Sequence, residues 1–350
     1  MTKLIKNEDI IMKKISILIS VIVMIAFGCL YAGDVDRVGT TSGVQLLVPV
    51  GARSIGLGGA SLGTVTGAEA IYWNPGGLAY KGKSEFLVNH MQYIADINMN
   101  YLAVSYSNPR IGAFGFHIKS FDFGDIEETT EEHPDGTGVT YSPTFVVTGV
   151  TYGRLITDRI SAGATFKLIY EGVLQTSAST IAFDLGVQYS FNDRLRVGVV
   201  MKNVGGKLQY DGANLERRFP LPSTSLKRDE GPFRGVSLAS DIPSIFSFGA
   251  AYTANINEEN VLTFSAAFSN FNDSSDQLYG GVEYAFKDFF FLRGGYNYEP
   301  QTPDDQIFGA SFGFGAKIPV GTFEIDIDYA FRQVTDYFDS NNIFTIKIGI

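Results

Sequence analysis

The chain has 350 residues with a formal net charge of −10; only 18% are charged, and glycine (39), phenylalanine (28) and tyrosine (18) are abundant. Few charges and many aromatic side chains exclude a disordered chain and point to a strand-rich fold, while net acidity without a basic stripe argues against nucleic acid as a partner. The single cysteine, Cys29, falls inside the predicted leader, which leaves the mature chain no thiol for a disulfide or a cysteine-ligated metal.

Lys13 and Lys14 precede an apolar run from Ile15 to about Leu30, and Tyr31-Ala32 offers a small-residue cleavage position before Gly33. A charged start, a short apolar stretch and a small residue at its end predict a secretory signal peptide over residues 1–32, with Met12 as a possible true start. Gly28-Cys29 leaves an acylated cysteine open as a competing reading, although Ala26 and Phe27 fit that pattern poorly. No later stretch offers the roughly 20 uninterrupted apolar residues of a membrane helix.

Residues 33–83 show no sustained alternation; glycine recurs at Gly51, Gly56, Gly58, Gly59, Gly63, Gly67, Gly76, Gly77 and Gly82. Glycine permits close backbone packing. With Leu46, Leu47, Val48, Val50, Ile55, Leu57, Ile71, Trp73 and Leu78, the segment is too apolar for a solvated tail and suits a hatch folded back into a lumen.

From Ser84 to Ile350 the chain alternates apolar and polar residues in strand-length segments. Fourteen strands are expected, beginning near Ser84, Met99, Ile111, Tyr141, Ile160, Thr180, Leu195, Ile245, Val261, Gln277, Phe290, Gln306, Thr322 and Asn342. Short turns such as Asn108-Pro109-Arg110, Asn192-Asp193-Arg194 and Lys287-Asp288 join alternate pairs, and longer connections over 125–140, 174–179, 207–244, 272–276, 300–305 and 336–341 fall between them. Such alternation is what an even-stranded antiparallel transmembrane β-barrel gives, with turns in the periplasm and loops outside. The reading is all-β: a barrel over residues 84–350 in a bacterial outer membrane, both termini periplasmic. A soluble β-sandwich would share the one-sided strands but has no reason to gather its long loops at one end.

Energy assigns the faces, since an Arg or Lys facing mid-bilayer costs about 2–4 kcal/mol and an acidic residue somewhat less. Glu324, Asp326 and Asp328 therefore line the lumen, as do Asp184, Gln188, Lys167, Glu171 and His117, while Phe183, Leu185, Val187, Leu168, Ile325 and Ile327 face lipid. Tyrosines at 93, 101, 106, 152, 170, 252, 296 and 298 are expected in an interfacial girdle.

Gly43-Val44-Gln45-Leu46-Leu47, Gly51-Ala52-Arg53, Gly58-Gly59-Ala60 and the run Ala70-Ile71-Tyr72-Trp73-Asn74-Pro75-Gly76-Gly77-Leu78-Ala79 together resemble the N-terminal signature of the PorV/PorQ family, within the wider group of FadL-like outer-membrane barrels. The resemblance implies fourteen strands, an N-terminal hatch, and a role in moving hydrophobic compounds or in a type IX-like secretion route. It places an Asn-Pro-Ala gate element at Asn74, Pro75 and Gly76, with glycine in place of the usual alanine. Ile350 departs from the aromatic residue that often ends such barrels.

Hatch candidates are thus Arg53, Trp73, Asn74, Pro75 and Gly76, with Arg53 a possible partner for Asp326 or Asp328. Asn74-Pro75-Gly76-Gly77 also reads simply as a turn. The acidic loop Asp125, Glu127, Glu128, Glu131, Glu132 and Asp135 lacks calcium-loop spacing and reads as solvated charge. The basic loop with Arg217, Arg218, Lys227, Arg228 and Arg234 suits lipopolysaccharide phosphates, a secreted cargo protein or a secretion component, besides the outer-membrane lipids around the wall. His90, His117 and His133 show neither metal spacing nor a nucleophile motif. No catalytic residue, metal or cofactor is expected; a barrel that only binds partners remains an alternative, and an outer-membrane phospholipase a remote one.

Overall fold

A computed structural model describes residues 37–80, 82–220, 230–335 and 338–350; the predicted signal peptide and Cys29 lie outside them, as do Lys227 and Arg228 of the basic loop. Fourteen long strands make the wall: β1 (Glu85–Gln92), β2 (Asn98–Asn108), β3 (Gly112–Asp122), β4 (Thr144–Leu155), β5 (Ile160–Val173), β6 (Thr176–Ser190) and β7 (Leu195–Gly205). The second half adds β8 (Ile245–Asn255), β9 (Asn260–Phe271), β10 (Gln277–Phe286), β11 (Phe290–Tyr298), β12 (Phe308–Val320), β13 (Phe323–Val334) and β14 (Asn341–Gly349). Each strand pairs antiparallel with its sequence neighbours, and β1 closes on β14 from Glu85↔Gly349 to Gln92↔Asn342. The result is a closed barrel with no free sheet edge.

The short turns form for a local reason. Asn108, Asn192 and Asn257 each accept a hydrogen bond from the backbone N–H two residues on, at 2.9, 2.9 and 3.0 Å, the side-chain mimic of a turn. Lys287 and Asp288 take left-handed angles (φ 55° and 51°) that match the twist of a tight hairpin. One connection differs from expectation. Residues 174–179 do not form a long loop: β5 and β6 continue until only Leu174 and Gln175 remain between them. Thr176 and Ser177 look loop-like by composition, but they pair with Val173 and Gly172 and extend the ladder. The short/long alternation is therefore not strict.

The alternation sorts residues as the charge argument requires. Leu185 and Leu168 stand on the outer surface, 56% and 49% exposed, while Asp184 and Lys167 are 1% and 5% exposed in the lumen. Tyr106, Tyr152, Tyr170, Tyr252, Tyr296 and Tyr298 face outward. Tyr101 and Tyr93 do not belong to the girdle. Tyr101 has the opposite parity to Tyr106 on the same strand and is buried inside, and Tyr93 lies beyond β1, packed near Phe308.

Residues 42–80 fill the lumen. Short helices α1 (Ala52–Gly56) and α2 (Ala70–Trp73), with single 3₁₀ turns, bury Val50, Ile55, Leu57, Ile71 and Leu78 against the wall. The direction of this segment corrects an expectation. The C-terminal Ile350 donates to Ser84 at the short-turn end (2.9 Å), but Ser42 donates to Asp241 (2.9 Å) among the long loops. The described part of the hatch starts beside the long loops and runs down to β1. Turn order fixes the ends of strands, not the path of a segment threaded through the lumen.

Candidate functional site

Two sets of contacts clamp the hatch to the wall. The first surrounds Asn74-Pro75-Gly76. Asn74 is fully buried; its Oδ1 accepts from Gly76 N (3.1 Å) and its Nδ2 donates to Leu62 O (3.1 Å) and Val187 O (3.2 Å). Gln188 donates to Leu62 O and Val65 O at 3.0 and 2.8 Å, and Ser161 Oγ donates to Gly76 O. The wall is shaped to receive this turn. Gly153, Gly163 and Gly186 form one inward row across β4, β5 and β6. A Cβ at Gly163 would lie 2.2 Å from Pro75 O, and one at Gly186 would lie 2.1 Å from Asn74 Oδ1. A Cβ at Gly76 itself would stand 3.0 Å from Gln188 N, so glycine here allows a closer seat than alanine would.

The second set surrounds α1. Its first amides find wall acceptors: Gly51 N donates to Asn89 Oδ1 (3.0 Å) and Ala52 N to Thr345 Oγ1 (2.8 Å). Ser54 N donates to Glu69 Oε1 at 3.1 Å. Arg53 does not reach Asp326 or Asp328. Its guanidinium donates twice, at 3.0 Å each, to Glu283, a planar two-point match. Glu283 also accepts from Arg293 (2.7 Å), and Arg293 donates to Asp328 at 2.5 Å. Asp328 thus joins the chain one residue removed, while Asp326 pairs with Lys347 at 2.8 Å. The shorter Asp326 and Asp328 side chains are already held by wall cations, and Glu283 supplies the carboxylate Arg53 needs. Sequence reading missed Glu283 and Arg293, although inward parity beside Val282 and Leu292 was available to find them. Below, Lys83 pairs with Glu324 at 3.1 Å near the short-turn end.

Above the hatch lies a cavity of about 790 Å³, lined by hatch residues Leu47, Val48, Tyr72 and Trp73, by wall residues Phe121, Phe145, Ile245, Phe271, Tyr279 and Phe308, and by residues of the outer connections. Trp73 is held by donation from its Nε1 to Val50 O (2.8 Å). The cavity's few charged groups are Lys202, Arg332 and Glu299. Lys202 sits 3.6 Å from the Tyr72 ring centroid and Arg332 lies 3.8 Å from that of Phe308, both cations resting on aromatic faces. Burial pushes the Glu299 carboxyl, just past the end of β11, up to about 7. His117 and Lys167 belong to the lumen wall beside this site, with Lys167 paired to Asp184 at 2.6 Å.

Residues 32–228 match the family model for the type IX secretion system protein PorV, more than half of the chain. The chain belongs to the PorV family. Its fold agrees with solved barrels of low identity. It is similar to the CymD monoaromatic hydrocarbon channel (15% identity, TM-score 0.55, covering 87% of this chain and 97% of that one). It is also similar to the Pseudomonas putida toluene transporter TodX (14% identity, TM-score 0.55, covering 86% and 97%). No curated protein matches the sequence. Family and fold together place the PorV-family chain in the outer membrane as a β-barrel. No helix among the described residues is long and apolar enough to cross a membrane.

Proposed function

We propose that this barrel serves a type IX-like secretion route from its outer face, holding an apolar portion of secreted cargo or of a secretion component among its long loops. One observation carries the reading: the lumen is filled by a hatch clamped at two places, inside a wall paired all the way round, while the large apolar cavity lies on the long-loop side of that hatch. A barrel built this way is suited to grip rather than to conduct. Family membership supports a secretion partner as the thing gripped. The test is a disulfide tether between Ala52→Cys and Thr345→Cys, positions whose N and Oγ1 atoms are 2.8 Å apart. Protein secretion should continue undiminished with the hatch tethered, and cargo or secretion components should co-purify with the barrel. Loss of secretion on tethering, restored by reductant, would refute the reading.

A second reading, uptake of hydrophobic compounds, is favoured by the cavity's aromatic lining. Lys202 and Arg332 there, without a carboxylate partner among the described residues, suit the anionic head of an amphiphile. Under that reading the tether abolishes uptake, and lipid-like molecules rather than protein are recovered with the barrel. Hatch residues Arg53, Asn74, Pro75 and Gly76 serve as the clamp, and Trp73 as part of the cavity floor.

A further inference from the structure

A second, much smaller void lies at the junction of hatch and wall, beneath the large cavity. It measures about 10 Å³ and is lined by Leu46, Ile71 and Tyr72 of the hatch and by Tyr101, His117, Lys119, Val147, Lys167 and Asp184 of the wall. That is room for one small sphere and nothing larger. Two polar atoms from residues lining it are buried without a partner, Tyr101 Oη and His117 Nδ1, on residues only 1% and 5% exposed. Orphaned groups of this kind are costly unless something meets them.

The charges around the void do not balance. Lys167 and Asp184 neutralise each other at 2.6 Å, and Asp184 Oδ1 also accepts from Asn203 N (2.7 Å). Lys119 is 2% exposed, and its Nζ donates to Val48 O at 2.6 Å; among the described residues it has no carboxylate. Lys202 adds a second cation on the same Tyr72 ring, the two ammonium groups 4.9 and 3.6 Å from its centroid. An uncompensated buried cation is strongly unfavourable, and a well-placed, hydrogen-bonded anion beside it offsets that cost.

We infer that this void is a binding site for a monatomic anion, chloride in ordinary buffers, held by Tyr101 Oη, His117 Nδ1–H and Lys119. Carboxylates and phosphates are too large for it. The anion would fix Lys119, hence the Val48 carbonyl, and so pin the upper hatch to β2 and β3. The site is independent of whether the barrel carries protein or small molecules.

The test uses the full mature barrel in detergent. Crystals grown in sodium bromide should give an anomalous peak in contact with Tyr101 and Lys119, and Tyr101→Phe, which removes one hydroxyl, should lose most of it. In solution, deuterium uptake over residues 44–50 should be several-fold slower in chloride than in gluconate at equal ionic strength, with the difference lost in Tyr101→Phe. A water at the position with no bromide signal, or identical uptake in the two salts, would overturn the inference.

Discussion

Gly163→Ala is the sharpest probe of the clamp, because it adds one methyl group at a place where the structure leaves no room. The new Cβ would sit 2.2 Å from Pro75 O, where ordinary non-bonded contact needs about 3.5 Å, so hatch and β5 must part by roughly 1 Å. Overpacking of this kind costs about 1–3 kcal/mol. Strand geometry itself tolerates alanine, so the cost falls on the docked hatch and not on the barrel. At about 1.4 kcal/mol per tenfold, the undocked population should rise roughly 5- to 150-fold. Amide exchange reads this directly: the protected Asn74 and Leu78 amides, bonded to Ala70 O and Pro75 O, should exchange faster by that factor. Exchange in β9 and β10, and the heat-dependent gel mobility of the folded barrel, should not change. Gly280→Ala is the control, since a Cβ there meets nothing within 4 Å. If Gly163→Ala and Gly280→Ala behave alike, the glycine row is not a docking surface and the clamp argument fails.

Other perturbations test the remaining parts. Glu283→Ala leaves Arg53 and Arg293 facing each other without their shared carboxylate; loss of one partner from a buried ion network costs about 3–5 kcal/mol, and proteolysis of detergent-solubilised barrel should show cleavage around α1 that wild type resists. Ile327→Arg, further along the lipid face of β13, turns a cation towards the hydrocarbon at a cost of about 2–4 kcal/mol, whereas Glu324→Ala removes only the partly exposed pair with Lys83; the first should deplete assembled barrel in outer membranes and the second should not, and equal depletion would contradict the assignment of faces. Binding of an anionic amphiphile in the cavity should follow Glu299. Its folded-state carboxyl titrates near 7, above the usual range, so it is neutral below that pH and charged above it. Affinity should fall as pH rises through 7, and Glu299→Gln should flatten the profile; a slope unchanged in Glu299→Gln would remove this carboxyl from the site.

How much of this was legible in the sequence depends on which residues carry it. The faces of β13 were open to reading because Phe323, Ile325 and Ile327 against Glu324, Asp326 and Asp328 leave one affordable orientation in a bilayer. The same parity rule put His117, Lys167 and Asp184 in the lumen, and it would have found Glu283. Which inward charge meets which was not legible: Arg53 and Glu283 are 230 positions apart, and pairing across a lumen depends on barrel diameter and shear. The row Gly153, Gly163 and Gly186 becomes visible only once cross-strand register is known.

The β6–β7 seam shows where strict alternation breaks and why. After Val200 points inward and Met201 outward, simple parity would send Asn203 into lipid and Val204 into the lumen. Instead a register shift between Phe183 and Leu185 on the facing strand accommodates an extra residue, with Asn203 at φ 58°. Asparagine accepts that left-handed angle more readily than most side chains, and the bulge turns both Lys202 and Asn203 inward while Val204 returns to lipid. Inside, Asn203 receives a hydrogen bond from Lys167 and donates to Pro243 O at 2.9 Å, and Lys202 reaches the Tyr72 ring on the cavity floor. One inserted residue thus keeps an amide out of the hydrocarbon and places a cation where hatch, cavity and wall meet. Replacing Asn203 with valine would favour ordinary strand angles and remove both of its bonds. It should therefore destabilise this seam more than Met201→Val, a difference that thermal unfolding of the two variants in detergent would measure.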